Sequence, residues 1–433
     1  MRRNSEFVER DLATVWHPCT QMKDHEFLPM IPIKSGKGLY LEDFDGNRYL
    51  DAISSWWVNL FGHSNEYINS KITEQLQTLE HVILAGFTHE QAVKVSERVL
   101  KIAPDGLSKV FFADNGSAGV EVALKMSFHY HKNRGETRPF FISLKNSYHG
   151  ETLGALAIGD VELYKQTYSE IMIRSIQVPV PFDQKEESIW KPIAELRKVL
   201  EERSSEISGI ILEPLIQCAG SMNMYHPQYL IEIKKLTKEF GIHFIADEVA
   251  TGFGRTGKMF ALEHAGVSPD FMIVSKGLTG GYLPMSLVLT TDDVYREFYC
   301  DYKEMKSFLH SHSYTGNALA CSAANATLDI FENENIIENL QEKIDYLSES
   351  LEKFKTLPNV KEVRQQGMVG AVELKGYKWE ERVGLKIYKH GLKNGVLLRP
   401  LGHIVYFMPP LIIKKDEIDF MTNVAFDGIS KLL

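Results

Sequence analysis

The chain has 433 residues, 44% hydrophobic and 24% charged, a balance that excludes disordered and fibrous classes and leaves room for two or three domains. Lysine and arginine number 48 against 57 aspartates and glutamates, a net charge of −9. Nucleic acids and anionic membrane surfaces need a basic face, so neither is an expected partner. No apolar run reaches about 18 residues, so no membrane span is expected. Met1-Arg2-Arg3-Asn4 carries a basic pair with no apolar stretch after it, which argues against a secretory signal. The four cysteines (Cys19, Cys218, Cys300 and Cys321) lie far apart without a CxxC spacing, so neither a disulfide framework nor a zinc site is suggested. The expectation is a soluble cytoplasmic protein large enough to be an enzyme.

In chain order, residues 36–50 read as two short strands around the turn Asp45-Gly46-Asn47. From about residue 65, helices alternate with short apolar strands. Val110-Phe111-Phe112-Ala113 is followed by the turn Asp114-Asn115-Gly116-Ser117, and Val120, Ala123, Leu124 and Ser127 then recur at helical period. Similar apolar runs stand at 140–143, at 210–212 before Glu213-Pro214, at 243–246 before Asp247-Glu248, and at 271–274 before Ser275-Lys276. Near-continuous apolar strands separated by helices predict an α/β domain whose mostly parallel sheet is sandwiched by helices. Ile336, Leu340, Ile344, Leu347 and Leu351 form one stripe of an amphipathic helix, and short strands at 369–374 and 404–408 follow it. The predicted organisation is an N-terminal segment (1–64) packing with a small α+β domain (329–433), around a large domain (65–328).

In an open parallel sheet, ligands bind beyond the carboxyl ends of the strands, so the chemistry should lie in the residues just after each apolar run. Those residues are Asn115-Gly116-Ser117, Tyr148-His149, Glu213, Asp247-Glu248 and Lys276. A lysine against apolar walls loses its proton more readily and can act as a nucleophile; the same lysine could equally be a loop residue on the surface. Asp247 needs a cationic partner if buried, or it caps a helix. The turn at 114–117 offers free N–H groups and a helix N-terminus to an anion.

Two patterns point elsewhere. Gly252-Phe253-Gly254-Arg255-Thr256-Gly257-Lys258 fits G-x-x-x-x-G-K, but Met259 stands where a P-loop needs Ser or Thr, and Asp247-Glu248 would repel phosphates. His310 and His312 have no third ligand nearby in sequence, so no metal site is expected. Trp56-Trp57 suits either a core pair or a wall for a substrate. One cofactor unites the rest. Pyridoxal 5'-phosphate needs a lysine, a carboxylate for its ring nitrogen, an aromatic over its ring and an anion cradle. Lys276, Asp247, Tyr148 and Gly116-Ser117 fill those roles from the ends of four strands.

These residues carry a resemblance to the class III, fold-type I aminotransferases. It rests on Ala246-Asp247-Glu248-Val249-Ala250-Thr251-Gly252-Phe253-Gly254-Arg255-Thr256-Gly257, followed by Lys276-Gly277, and extends from Trp16 to Pro410. Trp16-His17-Pro18-Cys19-Thr20, Ser54-Ser55-Trp56-Trp57, Asn146-Ser147-Tyr148-His149-Gly150, Arg399-Pro400-Leu401-Gly402 and Tyr406-Phe407-Met408-Pro409-Pro410 are similar to members that aminate 8-amino-7-oxononanoate in biotin biosynthesis. The nearest alternative in the class is an ω-amino-acid transaminase. Outside enzymes, it is a phosphate- or nucleotide-binding regulatory module.

The resemblance implies a homodimer with shared active sites. Lys276 would bind the cofactor covalently, Asp247 would pair with its ring nitrogen and Tyr148 would stack on the ring. Gly116 and Ser117 would hold the phosphate with the partner subunit's Ser313. Trp56 and Tyr406 would line the substrate pocket, Arg399 would take the substrate carboxylate, and Arg255 would add positive potential. Cys19 stands where the family often has an aromatic residue. The usual donor is S-adenosylmethionine, whereas His310-Ser311-His312-Ser313-Tyr314-Thr315 is closer to the form of the lysine-using members.

Overall fold

The computed structural model describes residues 3–432. The chain separates into two compact units: one runs from Tyr67 to Gln341, and the other combines the residues up to Glu66 with those from Glu342 onward.

The larger unit is built on a seven-stranded sheet. Across the sheet the strands are Leu107–Ala113, Ser286–Thr291, Phe271–Val274, His243–Asp247, Ile207–Leu212, Phe140–Leu144 and Ile176–Val178. Only Ser286–Thr291 runs antiparallel to its neighbours; the pairings from Phe271–Val274 to Ile176–Val178 are all parallel. Four of the predicted strands are central or near-central, and Ile207–Leu212, His243–Asp247 and Phe271–Val274 are buried along their whole length. That burial explains their apolar runs Ile210-Ile211-Leu212, Phe244-Ile245-Ala246 and Phe271-Met272-Ile273-Val274. The helix Gly116–Asn133 lies on this sheet. Val120, Ala123, Leu124 and Ser127, which recur at helical period, are all buried, and the apolar ones pack with Phe141, Ile211, Ile245 and Ile273.

Deep in this unit lies a histidine pair. His243 Nδ1 lies 2.8 Å from Ser127 Oγ, His131 Nε2 lies 3.1 Å from the Ser208 carbonyl, and the two rings are 4.9 Å apart. Burial holds both imidazoles below the usual histidine pKa, His243 well below, and each is pushed further by neighbouring positive groups. The unfolded chain therefore binds a proton at His243 that the folded chain refuses. Its contribution is present above about pH 6.5 and is lost as pH falls, at about 1.4 kcal/mol per pH unit. Measured by chemical denaturation at pH 7.5 and 5.5, a His243→Asn variant should recover about 1.4 kcal/mol relative to the parent at the lower pH. A difference between the two proteins that is the same at both pH values would refute a neutral, buried His243.

The second unit contains two small sheets. One orders Ile33–Lys37, Tyr40–Asp43, Arg48–Asp51 and Val396–Leu397, the last pairing parallel to its neighbour; the other is the antiparallel set Val360–Gln366, Val369–Leu374 and Ile404–Phe407. The strands at 40–43 and 48–51 enclose the predicted Asp-Gly-Asn turn, with Gly46 at φ +89, where a side chain would be strained. Val396–Leu397 pairs with Arg48–Asp51, so both ends of the chain build one α+β unit. Arg382 and Asp24 form an ion pair within it.

Candidate active site

In the larger unit, the residues named from strand ends lie beyond the carboxyl ends of the parallel strands. Asp247 closes its strand and is 4% exposed. Its Oδ1 accepts the Val249 amide at 3.1 Å, and its Oδ2 lies 2.7 Å from His149 Nδ1. His149 is buried too, and its Nε2 has no hydrogen-bond partner among the described residues. The contact pairs a buried carboxylate with a buried imidazole and fixes the orientation of both.

Glu213, after the Ile207–Leu212 strand, is also buried. It accepts the Tyr148 amide at 3.0 Å and the Cys218 amide at 3.1 Å, so it shapes the Tyr148-His149 loop. Burial and the nearby Asp247 push its carboxyl up to about 7, partly offset by His149. Glu248 points into a different pocket of bonds. It accepts from Thr251 Oγ1 at 2.6 Å and from the Leu262 amide at 2.8 Å, and burial raises it to about 7.

Lys276 follows the Phe271–Val274 strand with φ +45, in the left-handed region that costs a side-chain-bearing residue about 1–2 kcal/mol. It is half-buried, and burial, with a smaller push from Arg255, holds its amine below the ordinary lysine value. Ser275 anchors the same turn through a 2.7 Å bond from its hydroxyl to the Met285 carbonyl. Arg255 is 1% exposed, and its charge is felt by both Lys276 and Cys218. The glycine-rich decoy from Gly252 to Lys258 is a series of turns, and no α-helix begins there as a P-loop would require.

The anion cradle has the predicted strand–turn–helix form. Asn115 caps the helix by accepting the Ala118 amide at 3.0 Å. A Cβ on Gly116 would lie 2.9 Å from Val249, and one on Gly150 would lie 1.9 Å from Ser117 Oγ. Both positions require glycine for close approach. Ser117 Oγ accepts the Glu151 amide at 3.2 Å, which ties the cradle to the Tyr148-His149-Gly150 loop. Tyr148 is half-buried, and its hydroxyl donates to Glu151 at 3.1 Å. Ser313 is exposed, with its carbonyl 2.8 Å from His81 Nε2. His310 Nε2 and His312 Nε2 are 3.3 Å apart, and among the described residues no group of three or more His, Cys, Asp and Glu is placed to hold a metal.

The other predicted substrate residues belong to the second unit. Trp56 is 41% exposed, and the Arg399 guanidinium sits 4.9 Å from its ring centroid. Trp57 and Tyr406 are buried, and Trp57 Nε1 donates to Tyr406 Oη at 3.1 Å. The tryptophan pair is therefore split between the two roles its sequence allowed: Trp57 is core, and Trp56 is presented. Cys19 is exposed at φ +48.

Sequence reasoning marked His149 and Glu213 as strand-end residues but gave them no role. Their position beside Tyr148 and before Pro214 was the only signal; the contacts that give them meaning span 98 and 65 residues of chain.

The larger unit fits pyridoxal 5'-phosphate. A buried Asp247 is oriented by His149, Lys276, its amine held below the ordinary lysine value by burial, follows a neighbouring strand, and the helix-terminal cradle is crowded at its two glycines. Fold and site together define a pyridoxal-phosphate-dependent aminotransferase, and the chain belongs to the family Aminotransferase class-III, which it matches over residues 21–429. The chain is 49% identical to the adenosylmethionine-8-amino-7-oxononanoate aminotransferase of Helicobacter pylori over 414 residues, 94% of each chain. Among solved structures, the enzyme of that name from Methanocaldococcus jannaschii superimposes with a TM-score of 0.94 at 37% identity, covering 98% of this chain and 99% of the other. An omega transaminase from Pseudomonas jessenii in complex with PMP gives a TM-score of 0.91 at 27% identity, over 97% and 96% of the chains. No helix among the described residues is long and apolar enough to cross a membrane.

Proposed function

We propose that the enzyme transfers an amino group onto 8-amino-7-oxononanoate, forming 7,8-diaminononanoate for biotin synthesis. The observation that carries this reading is the 49% identity, over 94% of both chains, to a relative named for that substrate. The ω-transaminase reading rests on neighbours at only 27% identity. The test is to load the enzyme with amino groups, supply 8-amino-7-oxononanoate, and look for the diamine by mass spectrometry. Turnover of γ-aminobutyrate or ornithine with no diamine formed would transfer the assignment to the ω-amino-acid transaminases.

In this reading Lys276 would hold the cofactor, Asp247 would keep the proton on its ring nitrogen, Tyr148 would cover the ring, and Gly116 and Ser117 would hold the phosphate. Pyridoxal phosphate, when bound, supplies the electron sink that makes the carbon beside a substrate amine acidic. The chain's own work is proton handling. A Lys276 amine with a lowered pKa carries more free base near neutral pH, so its Nζ can take the proton from the donor and deliver it one position away. His149 keeps Asp247 in one orientation through its 2.7 Å bond. Arg255 adds a buried positive potential that favours the neutral Lys276 amine. Donor and acceptor use one site in turn, so the kinetics are ping-pong.

The same reading makes the enzyme a cytoplasmic homodimer in which the partner subunit's Ser313 joins the phosphate site. Ile83, Phe87, Leu309 and Tyr314, all more than half exposed, support a covered surface near that segment. S-adenosylmethionine is the donor in the names of the relatives, while His312-Ser313-Tyr314-Thr315 favours a second donor, lysine. Titration of the holoenzyme with lysine should bleach its cofactor colour at least detectably; a response to S-adenosylmethionine alone would dismiss that donor.

Trp56 and Arg399 would recognise the acceptor. A nine-carbon keto acid needs an apolar wall along its chain and a cation for its carboxylate, because an unpaired carboxylate in an apolar channel is costly. Arginine holds both carboxylate oxygens in its planar fork. Arg399→Ala should weaken use of the acceptor by about 1.5–3 kcal/mol, roughly ten- to more than a hundredfold, measured as kcat/KM. An unchanged kcat/KM would move the anchor to another cation, with Arg255 next.

A further inference from the structure

Ser54, Ser55, Trp56 and Trp57 have φ values of 51°, 46°, 75° and 73°. Elsewhere among the described residues, non-glycine positions in this region occur singly or, at Ser221-Met222, as a pair. A left-handed turn of four residues, two of them tryptophan, does not form by preference, because each Cβ crowds the following carbonyl. Something must hold it.

The holder is the Asp51 carboxylate. It has no solvent exposure and ends the strand Arg48–Asp51. Oδ1 accepts the Ser55 amide at 3.0 Å and the Ile53 amide at 3.4 Å. Oδ2 accepts the Ser55 hydroxyl at 2.7 Å and faces His63 Nε2 at 3.0 Å. On its other side, His63 Nδ1 lies 3.3 Å from the Asn59 side-chain Nδ2, a contact that favours the tautomer in which Nε2 donates to Asp51. Ser54 Oγ donates to the Met408 carbonyl at 2.7 Å, and Trp57 is fixed through Tyr406. Every side chain of the turn except Trp56 is thus spent on holding the turn. Ser55 and Trp56 are the exposed residues of the turn; Ser55 is bonded to Asp51, whereas Trp56 has Arg399 over its ring.

We infer that Asp51, with Ser55 and His63, is a positioning group for substrate recognition, holding the left-handed turn that sets Trp56 against Arg399. This rests on the reading above in which Trp56 and Arg399 take the acceptor. A right-handed turn would send the residue-56 side chain in another direction, so loosening the carboxylate should be felt in acceptor binding rather than in the chemical step.

The experiment uses the holoenzyme converted to its amino form and follows the single-turnover reaction with 8-amino-7-oxononanoate by stopped-flow absorbance. Asp51→Asn and His63→Ala should raise the half-saturating acceptor concentration about tenfold, with the limiting rate changed by no more than about twofold. His63→Gln, which keeps an N–H donor for Asp51, should restore most of the loss. Ser55→Ala removes one donor and leaves the others, so it is the milder variant should the stronger ones fold poorly; it should act in the same direction. The effect of Asp51→Asn should vanish in a Trp56→Ala background, because the two act through the same contact. Full additivity with Trp56→Ala, or an unchanged half-saturation in Asp51→Asn, His63→Ala and Ser55→Ala while Trp56→Ala raises it, overturns the positioning role. A Trp56→Ala enzyme that saturates like the parent instead overturns the acceptor reading on which the inference stands.

Discussion

Lys276→Ala is expected to abolish transamination while leaving the protein folded. The loss is large because one amine carries two tasks, holding the cofactor and moving the proton. General acid–base catalysis alone contributes about 10²–10⁴-fold. The neighbours named around it offer no substitute: Cys218 is a buried thiol whose pKa is raised by burial, and Arg255 keeps its proton. Stability should change little. Alanine carries the same Cβ into the φ +45 position, so the backbone strain is unaltered, and Ser275 still ties the turn to Met285. Burial disfavours the lysine's charged form, so deleting the amine also removes a desolvation cost. The measurement pairs a single-turnover assay with a thermal melt. Activity within about tenfold of the parent, with an unchanged melt, would take Lys276 out of the mechanism.

The adjacent carboxylates should separate cleanly. Asp247→Asn is expected to cost activity, and Glu248→Gln to cost stability. An amide at 247 can still accept from Val249, but its NH₂ would then face His149 Nδ1, and it offers no charge to a protonated ring nitrogen. Removing one partner of a buried charge pair costs about 3–5 kcal/mol, or roughly two to three and a half orders of magnitude in rate if the pair is needed in the transition state. Glu248 instead accepts from Thr251 and Leu262, and a carboxyl raised to about 7 is partly protonated under assay conditions. Glutamine there turns one acceptor into a donor against an existing donor, a loss of about 1–3 kcal/mol of folding free energy. Equal losses of turnover per folded molecule at both positions would mean that the wrong carboxylate has been assigned to the ring nitrogen.

How much of this was legible in one dimension follows from the kind of interaction involved. Buried parallel strands need continuous apolar runs, so 140–143, 210–212, 243–246 and 271–274 could be read directly, and the rule that ligands gather beyond such strands pointed to Lys276, Asp247, Tyr148 and Gly116-Ser117 together. The helix Gly116–Asn133 was readable because its buried positions recur every three to four residues. Ser286–Thr291 and Ile176–Val178 were not singled out. The first follows a turn with no catalytic residue to draw attention, and the second is only three residues long at the sheet edge.

The tertiary structure alone decided the rest, because it depends on pairing between distant residues. The register of neighbouring strands brings His149 to Asp247 and Glu213 to Tyr148. The burial of Trp57 and the presentation of Trp56 depend on Asp51, Tyr406 and Met408 closing around a turn whose left-handed backbone no propensity would predict. Strand content and chemical inventory are local properties, written in period and residue type. Which side chain is oriented, and which is merely buried, is set by long-range packing that reverses local backbone preference when enough hydrogen bonds oppose it.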